Sequence, residues 1–71
     1  MYDLVISQSG EYGNIFFVVD KVYHLLKEME SDDAAEAMRR DIANMMRQPG
    51  TKYMDIVERF KEFGVKIIFV D

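Results

Sequence analysis

The stretch that decides the fold is Asn14 to Met29, NIFFVVDKVYHLLKEM. At about 100° per residue, Ile15, Val18, Val19, Val22, Leu25, Leu26 and Met29 fall on one broad face. Asp20, Lys21, His24, Lys27 and Glu28 fall on the opposite one. The segment therefore reads as an amphipathic helix. Its β-branched residues lower helix propensity by only a few tenths of a kcal/mol each, which burial of the apolar face outweighs. Asn14 is the expected N-cap, because its side-chain oxygen can accept a bond from an orphan amide in the first turn. Ahead of it lies a glycine-containing turn, Ser9-Gly10-Glu11-Tyr12-Gly13.

Working outward, Tyr2 to Ser7 alternates Tyr2, Leu4 and Ile6 against Asp3, Val5 and Ser7, as a strand does. After Met29, Ser31-Asp32-Asp33 punctuates the chain, and Asp33 with Glu36 has capping-box spacing. A second helix is expected over Ala34 to Arg47, with Ala34, Ala35, Met38, Ile42, Met45 and Met46 as its apolar stripe. Gln48-Pro49-Gly50 ends it, because proline disfavours helical geometry at the preceding residue. Thr51 is the expected cap of a third helix carrying Tyr53, Ile56, Val57, Phe60 and Phe63 inward. Gly64 stands where a left-handed helix terminus needs glycine.

Val65 to Val70, VKIIFV, is the last strand. Five of its six residues are apolar, a pattern that asks for cover on both faces. The expected fold is α+β in the order strand-helix-helix-helix-strand, with three helices packed on a two-stranded sheet and residues 1–71 as a single domain. Two strands alone are marginal, and so apolar a strand leaves an edge that proteins usually protect. A homodimer is expected on these grounds, with the sheet continued across the two-fold axis as one geometry.

Composition narrows the function. Seventy-one residues bury only about 60% of the surface that the unfolded chain exposes, so the stability margin is thin. With no cysteine and one histidine, disulfides and thiolate metal sites are excluded, and oligomerisation is the remaining way to add stability. A net charge of −4 argues against direct binding to a nucleic-acid backbone. No apolar run is long enough to span a membrane, and the first residues lack the pattern of a signal peptide. A cytoplasmic protein is expected, with no metal and no cofactor.

Several residues invite chemistry. The Gly10 to Asn14 turn precedes a helix, where backbone amides can hold an anion, so a phosphate-bearing small molecule or nucleotide is one candidate ligand, with Arg39 or Arg40 as counter-charge. Its spacing matches neither a P-loop nor a dinucleotide fingerprint, no lysine follows Gly13, and Glu11 would repel an anion. A turn feeding a capped helix explains Tyr12, Gly13 and Asn14 more simply. Asp20, His24 and Glu28 align at i,i+4 spacing, which is also what an ordinary solvated face looks like. His24 has no nucleophile partnered with it in sequence, so an enzyme is not expected.

Phe17 is more informative. It falls among Asp20, Lys21, His24 and Glu28, on the polar side of the first helix, and is either covered by the incoming chain or exposed for a partner. Phe16 and Tyr23 flank the same side, and interfaces are enriched in such aromatics. Arg39, Arg40 and Arg47 form a small basic group on an acidic molecule. Phe17, Tyr23 and the last strand are the surface expected to meet a protein partner.

Gly13-Asn14-Ile15-Phe16 opening a helix, Lys21-Val22 beyond it and Leu25-Leu26-Lys27 after that resemble a group of small uncharacterised proteins encoded by bacteriophages and prophages of Gram-positive bacteria. Pro49-Gly50-Thr51-Lys52-Tyr53 and the apolar ending Val65 to Val70 stand where that group has a glycine turn before an aromatic and an apolar terminus. The resemblance implies a phage or mobile-element origin and no assigned activity. Tiny proteins of that origin often act by binding, including on host defence proteins.

Overall fold

The computed structural model describes residues 1–7 and 14–70. A strand, β1 (Tyr2–Ser7), precedes three helices, α1 (Ile15–Met29), α2 (Asp32–Met46) and α3 (Tyr53–Phe60). A 3₁₀ turn (Lys61–Phe63) then leads into the second strand, β2 (Val65–Val70). The fold is the expected α+β arrangement, and the two strands pair in parallel, with Tyr2 beside Val65 and Ser7 beside Val70. Parallel pairing requires a long crossover, which the three helices supply.

The caps explain where each helix starts and stops. Asn14 accepts the amide of Phe16 at 2.8 Å, so α1 begins where the sequence places it. The second helix starts two residues earlier than expected. Ser31, not Asp33, is its cap and accepts the Ala34 amide at 3.0 Å, leaving Asp32 and Asp33 as first-turn acids beside the positive helix end. Thr51 does not cap α3: its hydroxyl donates to the Met45 carbonyl at 2.8 Å, tying the connection to the end of α2. The start of α3 is held by the Asp55 carboxylate, which accepts the Lys52 amide at 2.9 Å. Gly64 ends the 3₁₀ turn at φ 83°, the left-handed conformation its position predicts.

The core lies between the helices and one face of the sheet. Val18, Val22 and Leu26 of α1 meet Ala35, Met38 and Ile42 of α2, with Ile56, Val57 and Phe60 of α3 and Ile6, Val65 and Ile67 of the strands. Met38 is a core residue with no exposed surface, whereas Met29, assigned by periodicity to the apolar face of α1, is 53% exposed in the last turn. The helix there has run past the end of its neighbours' cover. Across the surface, Arg59 of α3 donates through Nε and Nη2 to Asp41 of α2 at 2.6 and 3.0 Å. The Tyr2 hydroxyl donates to Glu30 at 3.0 Å, joining β1 to the end of α1.

Candidate functional site

At the carboxyl end of β1, where α1 sets out, there is an open groove of about 390 Å³ lined by Val5, Ile6, Ser7, Phe17, Lys21 and Val70 among others. In a parallel sheet this end is where connecting helices begin and where crevices form. Phe17 and Lys21 reach it together because they are one helical turn apart. The Lys21 ammonium sits 5.3 Å from the centre of the Phe17 ring, a cation–π contact. Phe17 is half-buried: it is neither a core residue nor a fully displayed one, but a wall of the groove. Its neighbour Phe16 is 69% exposed. Asn14 Oδ1 accepts the Phe16 amide, one of the helix-start donors that an anion would otherwise meet.

Tyr23, two turns further along α1, is the centre of a second cluster. Its hydroxyl donates to Glu36 of α2 at 2.7 Å, and the Arg39 guanidinium covers its ring at 3.7 Å from the centroid. Lys27 approaches the same ring at 5.9 Å, and His24 meets it edge-on at 5.6 Å. The bond to Glu36 is the main reason the phenol is held above its ordinary value, with burial and the Glu36 charge adding and the Arg39 charge opposing. This cluster joins α1 to α2 by polar contacts outside the core.

The structure thus brings Tyr23 and Arg39 together, and it separates that pair from Asn14. Tyr23 stands nine positions after Asn14, on the order of 13 Å along the helix. Lys21, not Arg39, is the cation at the α1 start. Arg40 is exposed on α2. Tyr12 and Gly13, with the rest of the Ser9 to Gly13 turn, lie outside the described residues. His24 pairs with Asp20 at 3.4 Å as two exposed i,i+4 neighbours, and among the described residues no group of three metal-ligating side chains gathers.

The sequence reading named the last strand, Val65 to Val70, as a whole, and did not single out Val5, Lys21 or Asp3. The signal for the strand residues was present in VKIIFV, whose outer positions are as apolar as its inner ones. β2 has its inner face on the helices, while Ile68 is half-buried and Val70 is 43% exposed on the other. The helices cover one face of the sheet and leave the second open.

No family model matches the chain, and no curated protein or solved structure matches it significantly. Among the described residues, no helix is long and apolar enough to cross a membrane.

Proposed function

We propose that this chain is a non-enzymatic interaction protein that works as a homodimer through protein–protein contacts. The observation that supports this reading most directly is the display of Phe16 at the start of α1, the residue before Phe17, which with Lys21 walls the groove. A large exposed aromatic is costly to leave in water and is the kind of anchor that dominates binding energy. Tyr23 and Arg39, residue types enriched at such anchors, continue the same side of α1 towards α2. The resemblance to phage and prophage proteins supports a host protein, including one of a defence system, as the partner.

The test is capture by photo-crosslinking from a probe at Asp20, exposed one turn from Phe16, in host cells, repeated with Phe17→Asp and Phe16→Asp. Loss of the crosslinked partner, with helical circular dichroism and melting unchanged for Phe16→Asp, is the expected result. A crosslinking pattern that ignores both substitutions would refute the reading. A thermal-shift screen with nucleotides is expected to leave the melting temperature unmoved, since a ligand of the native state must raise it.

A further inference from the structure

Alternation along β1 turns Asp3 and Val5 away from the helices, and Met1, one step before the strand, has the same parity. Lys66, Ile68 and Val70 do the same in β2. The register sets Asp3 beside Lys66, Val5 beside Ile68 and Ser7 beside Val70. The outer face is therefore an apolar strip with one acid and one base side by side at one end. Met1, Val5 and Val70 are three of the molecule's exposed large hydrophobic side chains, at 77%, 59% and 43%. Among the described residues, neither Asp3 nor Lys66 takes part in an ion pair.

We propose that this face packs against the same face of a second copy, about a two-fold axis running along the strands. The inference rests on the homodimer reading above and specifies its surface. Such an axis exchanges the two strands across the interface while keeping their height. β1 then lies over β2 of the second copy, Val5 meets its Ile68, and Asp3 meets its Lys66, each contact occurring twice. Sheets stacked in this aligned way sit about 10 Å apart with strand directions within about 30°, a spacing the long lysine stem can help to span.

The charges select this axis over the alternatives. A two-fold lying across the strands would place β1 over β1 in reverse, with Asp3 facing Ser7 and Lys66 facing Val70, so neither charge would meet an opposite charge of the second copy. A two-fold perpendicular to the sheet would continue it edge to edge and leave Met1, Val5, Ile68 and Val70 wet. The proposed axis alone both covers the apolar strip and sets each charge against an opposite charge of the second copy. It also accounts for β2 being apolar on both sides, since in the dimer each sheet has helices on one face and a second sheet on the other.

The strip is narrow beside the ~1,200–2,000 Å² of stable interfaces, so association should be reversible and depend on concentration. Sedimentation of the full chain over a concentration series, with circular dichroism to check folding, tests the proposal. Asp3→Lys and Lys66→Asp each place like charges opposite one another twice and should weaken dimerisation by at least ~10-fold. The combined variant Asp3→Lys with Lys66→Asp should return to within ~3-fold of the unmodified chain. Val5→Gln should weaken the dimer without touching the charges. A chain that is monomeric at every concentration overturns both this proposal and the homodimer reading. A dimer indifferent to the single substitutions overturns this face and leaves dimerisation through another surface. Folded single variants that dissociate without rescue by the combination overturn the axis.

Discussion

The Arg39 guanidinium of α2 lies 3.7 Å from the centre of the Tyr23 ring of α1, and the Tyr23 hydroxyl bonds Glu36 one turn before Arg39 on the same helix. One aromatic side chain is held at both its π-face and its polar tip by a single partner helix. This fixes the rotation of α1 against α2 from outside the core, and with it the direction in which Phe16 and Phe17 are presented. Arg39→Ala should lower the urea midpoint modestly, and a double-mutant cycle with Tyr23→Leu should show a favourable coupling. Zero coupling would mean the stacked pair contributes nothing beyond its area.

The same cluster sets an alkaline limit. Tyr2 and Tyr23 are both raised above the ordinary 10.0, chiefly by donating to Glu30 and Glu36, and Tyr53 is raised by burial. A phenol whose folded pKa is raised stabilises the fold fully below the unfolded value, and that contribution is lost as pH rises through the folded one. The melting temperature should hold up to the vicinity of pH 10 and fall above it. Tyr23→Phe should reduce the slope of that fall. Ultraviolet titration of the phenolate band should show these tyrosines ionising later than in the denatured chain.

Tyr53 offers a substitution in the opposite direction. Its hydroxyl is buried without a hydrogen-bond partner among the described residues, while its ring packs 6.0 Å from that of Phe69. Tyr53→Phe keeps the ring and removes the unsatisfied group, so unfolding stability should stay level or rise by up to about 1 kcal/mol. A clear loss in chemical denaturation would reveal a partner for that hydroxyl in solution.

Two caps can be told apart by measurement. Ser31→Ala should cost about 1 kcal/mol, because the Ala34 amide loses its acceptor. Asp33→Ala should cost less, since Asp33 contributes only its charge near the helix start. Equal losses would return the cap to the position that capping-box spacing first indicated.

Phe60 is the largest fully buried side chain among the described residues and lies where α3 faces the other core elements. Phe60→Ala removes about 3–5 kcal/mol. For a domain with so thin a margin this should abolish the cooperative melting transition. A retained sharp transition would show that a neighbour refills the space.

Local rules carried much of this fold in the linear chain. The periodicity of Asn14 to Met29, the glycine at position 64 and the alternation of Tyr2 to Ser7 each act within a turn or a strand, so α1, β1, β2 and the element order follow from the residues themselves. Capping was less legible, because Ser31, Asp32 and Asp33 are all chemically able to cap and the one chosen depends on where the preceding helix releases the chain. Contacts between distant residues left no local trace. Nothing near Arg39 in sequence says that it covers Tyr23, and nothing near Phe17 says that it forms the wall of a groove with Val5 and Val70. By itself, then, the sequence determined which segments are helices and strands and that β2 is apolar on both sides. Only the tertiary structure decided that the strands run parallel, that the helices occupy one face of the sheet, and that Asp3 and Lys66 stand together on the other, because a strand's direction and neighbours depend on the path taken by the helices between.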